Sequence, residues 1–357
     1  MNSNFSYCMP TKIVFGTNEL ENIGKYINDR KTVLITSSGF VKRGLVDKIQ
    51  QTCGSIVHVF SGVRSHPEFN DLERAYQEIH RHNFELIVAV GGGSVMDAAK
   101  FFSVFHESKA SEFVTRIIKN GSANIDYKTI PTILIPTTAG TGSEVTPWAT
   151  VWDMHERRKY SLHLPELYSE MAIYDPVLTL SIPREITIQT GLDSLSHAME
   201  SIWNKNSSPL TLNYAVKSAK IIMQNLPKLS DNLQCLEYRE NMMKASMYSG
   251  LAFSNTQTAI AHAISYYITT HKHVPHGIAC SFTLPMLIDK AIGEYDFIDR
   301  AFVEIFGELS SRKMRDLLDR LNVPTNFEDY GVSAKDLKAL KSSLSENQRA
   351  GNSLISI

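Results

Sequence analysis

Asp193 and His197 stand four residues apart in Gly191-Leu192-Asp193-Ser194-Leu195-Ser196-His197-Ala198-Met199-Glu200. In a helix that spacing puts both side chains on one face, about one turn apart. A carboxylate oxygen and an imidazole nitrogen suit Fe²⁺ or Zn²⁺. More imidazoles follow: His262 in Ala261-His262-Ala263-Ile264 and His276 in Val274-Pro275-His276-Gly277, with His271 and His273 crowding the same loop. Three neutral imidazoles and one carboxylate leave a net charge of about +1 at a divalent ion, which polarises a carbonyl or stabilises an alkoxide. Spacing alone does not choose among the 12 histidines. Any single histidine is more often a capping or core residue than a ligand.

A second chemistry is offered by glycine. Val90-Gly91-Gly92-Gly93-Ser94-Val95-Met96-Asp97-Ala98-Ala99-Lys100 reads as a strand end, a tight turn and a helix start. Glycines let a phosphate approach the backbone, and the amides and dipole of a helix N-terminus stabilise an anion. The pattern is not GxGxxG, and a purely structural turn is the alternative. A polar turn follows at Pro136-Thr137-Thr138-Ala139-Gly140-Thr141-Gly142-Ser143-Glu144. Its hydroxyls suit a ribose, phosphate or carboxamide, or ordinary helix capping.

These groups need elements to hold them. Lys31–Thr36, Ser55–Phe60, Glu85–Val90 and Thr132–Ile135 read as buried strands. A helical pattern runs through Val41, Leu45, Val46 and Ile49, and another covers Asp71–His82. Alternating strands and helices imply an open parallel α/β sheet covered on both faces, with ligands at the carboxyl ends of the strands. After Ile182-Pro183-Arg184 the character changes to long periodic segments, including 210–224, 237–249 and 296–309. The expected division is therefore an α/β dinucleotide-binding domain over 1–183 and an all-helical metal-binding domain over 184–357.

Bulk properties narrow the partners. The 357 residues carry a net charge of -1, 43% hydrophobic and 20% charged. Such a balance argues against nucleic acid. Cys8, Cys53, Cys235 and Cys280 form no CxxC pair, so a disulfide scaffold is not expected and a cytoplasmic location fits. The N-terminal stretch does not read as a signal peptide, and no run approaches the ~20 apolar residues that span a bilayer.

The motifs GGGSVMDAAK (91–100), PTTAGTGSEVT (136–146), GLDSLSHAMES (191–201) and PHGIAC (275–280) occur in this order. Together they resemble the iron-containing (group III) alcohol dehydrogenases, nearly end to end from Pro10-Thr11-Lys12-Ile13-Val14-Phe15-Gly16 to near Arg349. The resemblance implies a divalent metal, Fe²⁺ or else Zn²⁺, on Asp193, His197, His262 and His276. It selects His262 because the family keeps a ligand fourteen residues before the Pro-His-Gly histidine. It implies a dinucleotide whose pyrophosphate lies at Gly92, Gly93 and Ser94 with Asp97 nearby. Thr137, Thr138, Thr141 and Ser143 then line the cofactor site, Lys159 reaches the cofactor or substrate region, and a homodimer is common.

Two positions depart from the family pattern. Tyr266 stands where many members carry a histidine near the nicotinamide. A phenol donates a proton from a reference pKa near ~10 rather than ~6.5, so Tyr266 is either the proton donor or plain packing. Ser37 stands where NAD-preferring members often have an acidic residue that excludes a 2′-phosphate. Lys42 and Arg43 nearby either attract that phosphate or are solvated helix charges.

Pro147–Asp153, Lys159-Tyr160-Ser161-Leu162 and Ala263–Tyr266 look like a subgroup of phosphonoacetaldehyde reductases. That implies reduction of phosphonoacetaldehyde to 2-hydroxyethylphosphonate. A phosphonate needs cationic partners, with Lys159, His163, His271, Lys272 and His273 as candidates. Alternatives are a general short-chain alcohol dehydrogenase or lactaldehyde-type reductase, a dehydroquinate synthase-like lyase, or a non-catalytic nucleotide-binding protein. The absence of an acid at Ser37 predicts that NADPH is accepted alongside or ahead of NADH. Steady-state efficiency with the two cofactors checks this, and equal or better efficiency with NADH counts against it.

Overall fold

The computed structural model describes residues 4–64, 68–106, 108–121, 125–153, 158–345 and 347–356. The chain divides into two compact units. One comprises Met9–Thr138 and Ser143–Thr179; the other comprises Met1–Cys8, Ala139–Gly142 and Leu180–Ile357.

The first unit is built on a six-stranded sheet. Its strands are β1 (Lys12–Phe15), β2 (Thr32–Ile35), β3 (Ile56–Phe60), β4 (Leu86–Gly91), β5 (Thr132–Pro136) and β6 (Met171–Tyr174). They pair in parallel in the order β1-β6-β5-β4-β2-β3. Every residue of β2, β4, β5 and β6 is buried, as a sheet covered on both faces requires. Successive side chains serve two separate cores. Val33, Ile35, Ile87, Ala89 and Leu134 pack into one, while Leu34, Val88, Val90, Ile133 and Ile135 pack into the other.

The order of the strands matters for binding. From β2 the chain steps outward to β3; from β4 it steps the opposite way to β5. The carboxyl ends of β2 and β4 therefore flank a topological switch point, where open α/β sheets take ligands. Ser37 follows β2, and the glycine turn follows β4.

The sequence anticipates β2 to β5 but not β1, β6 or the antiparallel hairpin of Trp148–Asp153 with Arg158–His163. The helical pattern over 41–49 is two helices, Ser38–Lys42 and Leu45–Thr52. Gly44 breaks it at φ 68, a left-handed conformation that costs glycine little.

Helix α1 (Gly93–Phe102) continues from β4. Its Lys100 is fully buried, and the ammonium donates to the carbonyls of Ser143, Thr146 (2.6 Å) and Trp148 (2.8 Å). Asp97 on the same helix accepts from Ser143 Oγ at 2.5 Å and from the Thr150 amide at 3.0 Å. A buried cation with its protons placed on carbonyls thus latches the glycine helix to residues 143–150.

The second unit is helical: α2 (Arg184–Ile202), α3 (Pro209–Asp231), α4 (Leu236–Thr256), α5 (Ile260–Lys272) and α6 (His276–Ser281), followed by shorter helices. Ser208 and Thr211 form a capping box at the start of α3, with Pro209 in its first turn. Helix α2 is enclosed by α3, α4 and α6. A Cβ on Gly277 would lie 1.8 Å from the Gln189 carbonyl oxygen, so only glycine allows α6 to rest on α2 there. Residues 139–142 seat against this unit, where a Cβ on Gly142 would come within 2.8 Å of Gly250 Cα. Tyr7 donates to the Leu251 carbonyl at 3.1 Å, and the Cys8 backbone exchanges two hydrogen bonds with the Asn255 side chain. Among the described residues, no helix is long and apolar enough to cross a membrane.

Burial pushes the Glu144 carboxyl up to about 7, against the pull of its hydrogen bonds and of the Lys100 charge. The folded state therefore holds this proton more tightly than the unfolded chain. That contribution to stability is complete below pH 4.5 and is lost as pH rises through about 7. Glu144→Gln removes this pH dependence. Its melting temperature, relative to the parent's, is expected to rise progressively between pH 4.5 and 7 in thermal unfolding scans.

Candidate metal centre

Helix α2 presents Asp193, His197 and Glu200 along one buried stripe, with 6%, 5% and 0% exposure. His262 enters from the first turn of α5, and His276 opens α6 directly after Pro275. Between them His273 takes φ 57, turning the chain so that α6 brings its first residue back to α2.

The three imidazoles converge on one oxygen. From Asp193 Oδ1, the Nε2 atoms of His262, His276 and His197 lie at 3.5, 3.7 and 4.0 Å. Asp193 Oδ1 and His262 Nε2 are buried and have no hydrogen-bond partner. Buried polar atoms are ordinarily paired. Two orphans facing each other among imidazoles, at ligand-to-ligand distances, fit a divalent ion. The structure therefore brings together all four residues marked by the sequence, and Fe²⁺ or Zn²⁺ suits their donor set.

The surroundings set the electrostatics. Burial opposes ionisation of Asp193, but the charges of His197, His276 and His262 hold its carboxyl well below the usual range. Burial likewise opposes protonation of His262, yet Cys280, Glu200 and Asp193 raise it well above the ordinary imidazole value.

Glu200 was not marked by the sequence. Its Oε2 accepts from His262 Nδ1 at 2.5 Å and its Oε1 accepts from the His262 amide at 3.1 Å. An Nδ1–H donated to a carboxylate leaves Nε2 as the lone-pair atom facing Asp193, which fixes tautomer and ring orientation. The signal available was register: 193, 197 and 200 share one helical face.

His197 is stacked between Phe253 and His262, with ring centroids at 4.1 and 4.5 Å. The Tyr266 ring lies parallel to His276 at 6.2 Å and carries the Arg349 guanidinium 5.0 Å over its centroid. Arg349 was also unmarked, and nothing local in its sequence points to it. Of the expected cations, His271 stacks on Tyr267, Lys272 pairs with Asp336 at 2.9 Å, and His273 is exposed. These three sit at the far end of α5 from His262.

The expected nucleotide residues lie mostly on the sheet unit. Gly92, Gly93 and Ser94 are partly exposed at the start of α1, where glycine at the N-cap leaves no capping side chain over the first amides. The Thr137 amide donates to the Gly91 carbonyl at 2.9 Å, and Thr138 stands 3.5 Å from where a Gly92 Cβ would be. The two turns are thus adjacent. Asp97 and Ser143 are joined to each other and brace the helix. Thr141 falls in the segment that clusters with the helical unit. Ser37 bridges Gly62 at the end of β2; Lys42 is exposed, and Arg43 lies over Phe40 at 5.5 Å. In the hairpin, Lys159 stands over Trp152 at 5.5 Å and His163 stacks on Trp148 at 5.2 Å.

Residues 10–176 match the iron-containing alcohol dehydrogenase family, and residues 187–353 match the C-terminal region of the Fe-containing alcohol dehydrogenase family. The chain belongs to the iron-containing alcohol dehydrogenases. It is 32% identical to 1-propanol dehydrogenase PduQ of Citrobacter freundii over 286 residues, 79% of this chain and 72% of that protein. It is 29% identical to the sulfoacetaldehyde reductase of Bilophila wadsworthia over 357 aligned positions, 92% of this chain and 89% of that one. The crystal structure of the Bifidobacterium kashiwanohense sulfoacetaldehyde reductase in complex with NAD+ superposes with a TM-score of 0.91 at 27% identity, covering 100% of this chain and 96% of that one. This iron-containing dehydrogenase is accordingly an oxidoreductase acting between alcohols and aldehydes.

Glu200→Gln in this dehydrogenase replaces one acceptor oxygen by an NH₂, which faces either the His262 amide or Nδ1–H with a donor. Metal affinity is expected to fall by about 10–100-fold. Competition with a chromophoric chelator measures it, and unchanged affinity shows that Glu200 does not set the His262 orientation.

Proposed function

We propose that this dehydrogenase reduces a small aldehyde bearing a tetrahedral oxyanion, with phosphonoacetaldehyde going to 2-hydroxyethylphosphonate at the expense of NADPH or NADH. Asp193, His197, His262 and His276 are the residues that would hold the divalent ion, in the helical domain read over 184–357. The dinucleotide falls to the α/β domain read over 1–183, at the switch point flanked by Ser37 and the glycine turn. When bound, the ion supplies Lewis acidity toward a carbonyl oxygen, and the reduced nicotinamide supplies hydride.

The observation that carries the substrate class is Arg349. Its guanidinium is half-buried on the Tyr266 ring, which is itself parallel to the His276 imidazole. Burial lowers the guanidinium to about 10, so it remains cationic at neutral pH. Among the described residues its guanidinium donates one long hydrogen bond, 3.4 Å to Thr258 Oγ1. A planar fork of donors held on an aromatic face is suited to a phosphonate or sulfonate. The named substrate of the Bilophila relative is likewise an aldehyde with a neighbouring oxyanion. In this reading Tyr266 positions Arg349 and His276, and its phenol or a water delivers the proton.

The experiment is an aldehyde panel on protein loaded anaerobically with Fe²⁺, comparing phosphonoacetaldehyde, sulfoacetaldehyde, propanal and lactaldehyde under one cofactor. Phosphonoacetaldehyde is expected to lead in kcat/KM. Arg349→Leu is expected to cost about ten- to hundred-fold for the anionic aldehydes, mainly through KM, and to leave propanal nearly unchanged. Preference of the parent for propanal or lactaldehyde would overturn the phosphonate assignment in favour of a general short-chain alcohol dehydrogenase, the reading that the PduQ likeness supports.

A further inference from the structure

Helix α4 ends at Thr256 and α5 begins at Ile260, so a short turn carries the chain from one to the other. What it must meet is fixed. The Glu200 carboxylate on α2 accepts from the amides of Ala259 and His262 and from His262 Nδ1. Glu200 thus caps the first turn of α5 from another helix, where a negative charge is favourable. His262 belongs to that same turn. Where this ligand stands is therefore set by how the chain enters α5.

The entry is made at Gln257, whose backbone takes φ 64 and ψ 173. Asn18, Asn28 and His273 also have positive φ, but with ψ of 25, 53 and 25, the left-handed helical region that Asn and His visit readily. The combination at Gln257 belongs essentially to glycine, and a larger residue stays there only where its surroundings over-determine it. Here they do. The Gln257 amide donates to the Phe253 carbonyl at 2.7 Å. Its carbonyl accepts from Asn204 Nδ2 at 3.1 Å and from Thr256 Oγ1 at 3.0 Å. From the C-terminal segment, Asn352 Nδ2 donates to the Thr258 carbonyl at 3.0 Å and reaches Gln257 Oε1 at 3.5 Å. That segment is fastened just beyond α2: the Lys205 amide donates to the Asn352 carbonyl at 2.8 Å, and the Leu354 amide to the Trp203 carbonyl at 2.9 Å. Asn204 is itself 1% exposed, with its Oδ1 accepting from the Asn206 amide at 2.9 Å.

We propose that Gln257 is a strained positioning residue for the metal centre, clamped by Asn204 and Asn352 so that α5 starts with His262 against Glu200 and Asp193. Asn204 ties the turn to the end of α2, the helix that carries Asp193, His197 and Glu200. Asn352 ties it to the segment that also carries Arg349. Without the clamp Gln257 relaxes toward negative φ. The peptide rotation, five residues before His262, then moves that imidazole off Asp193. The inference rests on the metal centre and not on the substrate assignment, and its readout is independent of turnover.

The test uses the full chain, stripped of metal and titrated with Co²⁺, with thermal scans of the metal-free protein alongside. The cobalt d–d bands should be lost in Asp193→Ala, which places the ion in this centre; bands that survive there overturn the centre and the proposal with it. Asn204→Ala and the milder Asn352→Ala should each weaken Co²⁺ binding about tenfold while the chain stays folded. Gln257→Gly and Gln257→Ala lose the same side chain, but only glycine takes this backbone without strain. The glycine variant should therefore melt above the alanine variant, the reverse of their usual order. Adding Gln257→Gly to Asn352→Ala should restore the parent's cobalt affinity, and adding Gln257→Ala should not. Parental affinity in both asparagine variants overturns the proposal. So does an alanine variant that melts above the glycine variant, or a glycine that fails to rescue.

Discussion

A buried carboxylate is the constraint around which the helical unit is arranged. Removing Asp193 from water without compensation costs on the order of several kcal/mol. Among the described residues, no lysine or arginine side chain pairs with its carboxylate. The compensation comes from imidazoles at 3.5–4.0 Å and from the divalent ion that they and Asp193 would hold. Placing those imidazoles requires three helix segments to meet at one point. Helix α2 must be buried on all sides from Gly191 to Ile202, α6 must rest directly on its backbone at Gly277, and α5 must begin where Glu200 receives its first imidazole. Glu200 adds a second buried negative charge, so a divalent ion with neutral imidazoles balances Asp193 and Glu200 together.

The sheet unit solves a different problem, that of keeping backbone available. Glycines at the end of β4 remove side chains from the turn, which also removes the contacts that would hold it. The missing stiffness is supplied from below by Lys100 and Asp97, which bind residues 143–150 to the same helix. An ammonium directed at carbonyl oxygens and a carboxylate directed at a hydroxyl and an amide are strong, directional bonds in a dry setting. The glycine helix is anchored by residues beyond its glycine turn.

How legible was this in the sequence? Strands β2 to β5 lie in near-continuous apolar runs flanked by turn residues, so they stand out. The strands β1 and β6 are set by pairing with distant partners, Lys12 with Met171 for example. The hairpin over 148–163 depends on the same kind of pairing. Gly44 was read through because apolar periodicity continues across it. At the metal centre, the 193/197 pair is local and visible. His262 and His276 could not be separated from His271 and His273 by spacing; only the family likeness did so. Glu200 and Arg349 act across 62 and 83 residues of chain, on His262 and Tyr266. Their roles exist only once the helices have packed.

The short segments that join the helical unit out of turn have a kinetic meaning. The chain passes between its two units at four points, after Cys8, Thr138, Gly142 and Thr179. Tyr7 and Cys8 bond to Leu251 and Asn255, some 245 residues later. At ~5–20 residues per second, those partners leave the ribosome on the order of ten seconds or more after the segments that need them. Residues 139–142 wait for Gly250 in the same way. The sheet unit can condense around its own strands while the nascent chain grows, but the helical unit closes only when synthesis is well past α4. The contacts made by Tyr7 and Cys8, across some 245 residues, belong to the helical unit. That unit is also the one holding the metal ligands, so their full set exists only once the nascent chain has passed His276.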